Sequence, residues 1–190
     1  MKKRTEKSTP HKQTDKCPER LKPYVEMARK KEMDDVLIIS PSKVVTAAWV
    51  RMKCEFGCAG FGKRHCCPPR TPTPEQTRAV LDCYSYAMLL HRRTSKDFEQ
   101  MAPFNDEVTE LEIAIFLDGF YKAFSMGSGP CLRCTTCNIA GDCVHPFKKR
   151  PSMEACGIDV YATAHAHGLP ISVVKTRTEE KNIYGLILIE

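Results

Sequence analysis

Short apolar runs alternating with stretches of helical periodicity organise this chain. Val36–Ile39 is a continuous apolar segment typical of a buried strand, Tyr84–His91 reads as a second, central strand, and Ile171–Val174 with Ile183–Ile189 forms a closing pair. Four helical patterns lie among them. Pro23–Met33 places Tyr24, Met27 and Ala28 on one side, and Thr73 before Pro74 and Glu75 is an N-terminal signature that opens a helix to about Cys83. Val108, Leu111, Ile115, Leu117, Phe120, Tyr121 and Phe124 extend a longer helix from Asn105 or Asp106 to about Met126, with Gly127 as its stop. Ser152 is a fair N-cap for a last helix ending at Gly168. Interleaved helices and strands predict a mixed α/β sandwich with a small central sheet. Residues 54–74 fit neither period. Dense in Gly, Pro and Cys, they predict an ordered loop that needs something to order it, and cysteine-rich metal-binding loops are expected at one edge of the sheet.

The cysteines add chemistry to this outline. Eleven are present, and Cys131, Cys134 and Cys137 fall within seven residues, followed by Cys143 and Pro146. Two consecutive x2 spacings let tight turns aim several sulfurs at one point while backbone N–H groups face them, as in ferredoxin-type [4Fe-4S] sites. Structural zinc usually takes two CxxC pairs separated by a dozen or more residues. These four cysteines therefore predict a [4Fe-4S] cluster, with zinc as the alternative. The x5 step from Cys137 to Cys143 departs from the x3 of the bacterial ferredoxin run.

A second group is Cys54, Cys58 and the adjacent Cys66 and Cys67 before Pro68-Pro69. It is expected either to ligate a second metal, completed by Cys66, His65 or a distant cysteine such as Cys156, or to converge with the later group on one centre. The structural alternative is that small thiols fill space in a glycine-rich loop. Cys156, in the first turns of its helix, would gain thiolate character and is a further candidate ligand, with core packing equally open. His145 would bind metal or donate to a sulfide. Lys148, Lys149 and Arg150 would raise the potential of a negatively charged cluster. Cys17 and Cys83 stand alone. No phosphate-binding glycine loop or nucleophile elbow is present, which argues against nucleophilic enzymes.

Of the net charge of +6, residues 1–16 supply +4 through six bases and two acids, leaving +2 for the rest. The tail 1–16 reads as a basic disordered arm and 17–190 as a single domain, and a near-neutral body argues against nucleic-acid binding. The charged start is followed by no apolar stretch, so a cytosolic location is expected, where clustered cysteines serve as ligands or redox groups rather than disulfides. No window resembles a membrane span.

Together these motifs resemble the family catalogued as domain of unknown function 2284, predicted metal-binding proteins rich in cysteine. The resemblance covers most of residues 35–190. It rests on Cys54-x3-Cys58; on Cys67-Pro68-Pro69 with Pro72, Pro74 and Glu75; on Gly129-Pro130-Cys131-x2-Cys134-x2-Cys137 with Cys143 and Pro146; on Arg150–Val160; and on Tyr184-Gly185-Leu186. It implies metal binding through cysteines and carries no reaction. The family usually shows one cysteine before the prolines, which ranks Cys66 behind Cys67 as a candidate ligand. The expectation is an iron–sulfur protein: Cys131, Cys134, Cys137 and Cys143 bind a [4Fe-4S] cluster, while Cys54, Cys58 and Cys67 contribute to a second centre. Electron transfer or redox assistance to a partner protein would be its role. The alternatives are a zinc-stabilised interaction module and an enzyme whose cluster keeps an open position.

Overall fold

The computed structural model describes residues 17–94, 101–176 and 178–190, so the basic tail 1–16 lies outside the described residues. Four antiparallel strands, β1 (Asp35–Ile39), β2 (Ala87–Thr94), β3 (Phe124–Met126) and β4 (Lys181–Leu188), form one sheet in the order β1-β2-β4-β3. The central strands β2 and β4 are covered on both faces where they cross the core, which explains the apolar runs Ala87–Leu90 and Leu186–Leu188 within them. Met88, Leu90, Ile183 and Ile187 pack on one side against α1 (Lys22–Arg29) and α4 (Met101–Leu117), through Tyr24, Ala28, Phe104, Val108, Leu111 and Ile115. Gly185 permits this approach, since a Cβ there would lie 3.1 Å from Val108 Cγ2 and 3.3 Å from the Phe104 ring.

On the opposite face Ala87, Leu89, Leu186 and Leu188 pack with Leu81 of α3 (Pro74–Leu81) and with Val160 and Ala164 of α5 (Val160–Ala166). Met153, Cys156 and Ile158 complete that core. The architecture is the expected mixed α/β sandwich. Helix α3 begins as the sequence predicts: the Thr73 hydroxyl accepts from the Gln76 N–H, the Gln76 side chain accepts from the Thr73 N–H, and Pro74 takes the first helical position.

Four expectations are corrected. The long helix stops at Leu117 rather than near Met126, because Gly119 adopts φ +100° and the bonds Phe120 N–H to Ile115 O and Gly119 N–H to Phe116 O close a left-handed cap. The chain released there becomes β3. Residues 54–57 belong to an unforeseen helix, α2 (Ala48–Gly57), so the cysteine-rich loop starts at Cys58. The helix expected over 152–168 is broken: a short 3₁₀ turn, Glu154–Cys156, ends at Gly157 with φ +76°, and α5 restarts under an Asp159 cap. A Cβ at Gly157 would lie 2.5 Å from Pro74 Cγ, so only glycine fits against α3. Ile171–Val174 forms no strand.

Candidate metal centres

The segment carrying Cys131 to Cys143 leaves and rejoins the fold at one place. Gly127 N–H donates to Pro151 O and Met153 N–H donates to Gly127 O, which ties the two ends of the excursion together. Helix α4 then fixes the root with three polar side chains. Asn105 donates to Ser128 O at 2.9 Å and accepts from Ser128 N–H at 2.8 Å. Asp106 pairs with Arg133. Glu112, 4% exposed, accepts from Ser125 N–H and Oγ and from Arg150 Nε at 2.6 Å and Nη2 at 2.5 Å. Such a bidentate pair in a buried setting fixes geometry as well as charge. Gly127 is required beside this clamp, because a Cβ would meet Asn105 Oδ1 at 2.2 Å.

Five cysteines line one small cavity of about 20 Å³: Cys131, Cys134, Cys137 and Cys143 from this segment, and Cys66 from the loop after α2. Arg64 joins the two loops by donating to Cys131 O at 2.7 Å and to Cys134 O at 3.2 Å, and His65 Nε2 donates to Asn138 O at 2.8 Å. Arg64, His65, Arg133, His145 and Lys149 line the same cavity. The Cys131 thiol is lowered to about 6, first by the hydrogen bond it accepts from Cys66, then by the Arg133 N–H and the charges of Arg133 and Arg64. Its partner Cys66 moves upward because it is the donor and is buried. The pair is thus polarised, with Cys66 as donor and Cys131 as the sulfur drawn toward the thiolate form.

Cys54, Cys58 and Cys67 line a different and larger cavity, of about 410 Å³. Cys54 sits near the end of α2 and Cys58 caps that helix. Cys67 follows a chain of tight turns, closed by Gly62 N–H to Pro68 O at 2.8 Å. Gly60 N–H faces Cys58 Sγ at 3.4 Å, as the Arg133 N–H faces Cys131 in the first group. A Cβ at Gly60 would stand 3.5 Å from Cys58 Sγ and 3.8 Å from Cys67 Sγ, so glycine keeps the space beside both sulfurs free. Burial, then the neighbouring Cys58, raises both Cys54 and Cys67, the latter to about 11. Arg51 of α2 holds this loop to the rest by donating to Thr71 Oγ1 at 2.9 Å and Ala155 O at 2.7 Å.

The adjacent Cys66 and Cys67 therefore face different cavities, a division the one-dimensional spacing does not reveal. Cys156 stands apart from both groups. It is 2% exposed in the second core, and burial pushes its thiol up to about 12, opposite to the thiolate character expected from a helix start. His145 is exposed at the first cavity, and of the three expected cations Lys149 lines that cavity while Arg150 is engaged with Glu112. Cys17 packs against the α1 side of the core, and Cys83 is exposed. Among the described residues no three His, Cys, Asp or Glu side chains are already arranged to hold a single metal ion.

One further residue went unnoticed in the sequence. Glu154, which lines the larger cavity with Cys54, accepts from Ser152 and from the Gly129 N–H, but its buried Oε2 has no hydrogen-bond partner. Burial holds its carboxyl above the ordinary range. Only its place in a first helical turn was legible, and that signals capping rather than a site.

An α/β sandwich carrying two cysteine-lined cavities fits a metal-binding protein, and the family comparison agrees. The chain belongs to the predicted metal-binding protein family DUF2284, whose pattern matches residues 37–189. No curated protein and no solved structure matches the chain significantly. Among the described residues no helix is long and apolar enough to cross a membrane.

Proposed function

We propose that this protein is an iron–sulfur protein of the cytosol that transfers electrons to, or gives redox assistance to, a partner enzyme. Cys131, Cys134, Cys137 and Cys143 would hold a [4Fe-4S] cluster, and Cys54, Cys58 and Cys67 a second centre. The observation that carries the reading is the ring of five cysteines around one cavity, drawn from two loops and interspersed with bases. A zinc ion draws four donors to about 2.3 Å from one point. An iron–sulfur cluster has a body of its own, and because the space between the five sulfurs, about 20 Å³, holds little more than one water, loading a cluster would press the two loops apart.

The donor set fits that group. The proposed donors of both centres are thiols, N–H groups already face Cys58 and Cys131, and the hydrogen bond from Cys66 draws Cys131 toward the thiolate form. A cluster with four thiolates is net negative, so Arg64, Arg133 and Lys149 around it would offset that charge and raise its potential. The bound cluster would supply one-electron redox chemistry. The chain's own work is to hold the donors: Arg64 locks one loop to the other, α4 anchors the excursion, and Cys66 stands as a fifth thiol hydrogen-bonded to Cys131.

Protein purified without oxygen should be brown, carry iron and acid-labile sulfide in equal amounts, and bleach on reduction. Colourless protein with stoichiometric zinc would contradict the reading.

A further inference from the structure

We infer that the cavity in front of Cys54, Cys58 and Cys67 binds a small organic molecule whose donor atom completes the second centre. The molecule is apolar in body and carries a nitrogen, oxygen or sulfur donor at one end. This rests on the second centre proposed above.

The two cavities differ in the way that structural and catalytic metal sites differ. The first has five thiols about some 20 Å³, more donors than a four-thiolate cluster needs. The second has three thiols on one wall of a space of about 410 Å³, a size within the roughly 300–1,000 Å³ that ligand pockets occupy. Three protein donors with one position left to substrate is the arrangement of catalytic rather than structural centres. The remaining walls are largely apolar, supplied by Trp49, Phe61, Tyr161, Ile171, Val174 and Tyr184. Trp49 is 45% exposed, Tyr161 39% and Val174 36%, so these three stand where the space opens to solvent.

Glu154 supplies the independent polar observation. Glu154 lines the same cavity as Cys54, its Oε2 is shut off from solvent with no hydrogen-bond partner, and an orphaned buried carboxylate oxygen costs free energy until a donor reaches it. With the Glu154 side chain turned toward the cavity, a ligand bearing an N–H or O–H next to its metal-binding atom would satisfy that oxygen while its apolar body covers the aromatic walls.

Imidazole and 4-phenylimidazole test the inference on the full-length, iron-loaded protein, with calorimetry and electron paramagnetic resonance as readouts. Both should perturb one fraction of the iron signal and leave the other unchanged. The phenyl compound should bind at least about tenfold more tightly, the effect of burying one ring. Val174→Trp, which narrows the opening, should cut that preference severalfold at unchanged iron content. If neither compound perturbs a second centre whose iron is present, or if both bind Cys58→Ser protein equally well, the inference is overturned and the iron–sulfur reading stands. If Glu154→Ala removes the second centre's iron, the carboxylate itself occupies the fourth position and the inference again fails. If wild-type protein holds no second fraction of iron, the second centre falls, and this inference with it.

Discussion

The two cysteine groups use the same donor atom and meet at neighbouring residues, Cys66 and Cys67, yet their surroundings are nearly opposite. The first is ringed by Arg64, Arg133 and Lys149, has a thiol lowered to about 6 at Cys131, and hangs from the polar edge of α4. The second balances Glu154 and Asp159 against Lys53 and Lys181, keeps Cys54 and Cys67 raised by burial, and opens into a cavity lined by aromatic rings. One setting suits a closed, charge-compensated redox centre. The other suits a centre that meets something from outside. Ligand identity alone does not determine what a metal site can do; the charge and space around it do.

Metal removal should break the comparison most severely. Structural metal binding contributes as much as about 10–16 kcal/mol in small metal-dependent domains. Both hydrophobic cores of this fold are assembled from the sheet and its helices, without the thiols of either group. Anaerobic chelation should therefore release the two loops and spare the sheet. Limited proteolysis should cut after Lys63, Arg133 and Lys148 in the apo-protein only, and equal cutting within β2 and β4 would show that the loops and the core are not separable.

Glu112→Gln acts on one group alone. It leaves the half-buried Arg150 guanidinium without its counter-charge and should cost about 2–4 kcal/mol in a denaturant titration, less than a fully buried pair. Iron should be lost from the first centre and kept in the second. Arg51→Met is the mirror experiment. Removing its bonds to Thr71 and Ala155 should cost about 1.5–3 kcal/mol and deplete the second centre preferentially. The smallest effect belongs to Cys156→Ala. A truncated core side chain should cost about 1–2 kcal/mol with metal content unchanged, and a loss of iron would return Cys156 to the ligand set.

Much of the sheet was legible because β1, the first half of β2 and the second half of β4 carry short runs of Val, Ile, Leu and Met, too short for a helix of ordinary length. Strand β3 was not, for Phe124–Met126 prolongs the spacing of α4 and only the backbone at Gly119 separates them. Helix α2 was hidden for a related reason. Its large apolar residues Trp49, Met52 and Phe56 point outward, at 45%, 62% and 80% exposure, and Val50 alone is buried, so no apolar face marks it as a core helix. The break at Gly157 depends on contact with Pro74, far away in the sequence. Candidate ligands stood out by spacing, whereas the separation of Cys66 from Cys67 and the approach of Glu154 to Cys54 arise from tertiary packing.

Iron and sulfide analysis of Cys134→Ser beside Cys58→Ser, each paired with electron paramagnetic resonance, tests the central claim most directly. Each variant should lose a different fraction of the iron and a different spectral component, leaving the other intact. If either substitution alone removes all the iron, the two groups serve one centre and the division described here is wrong.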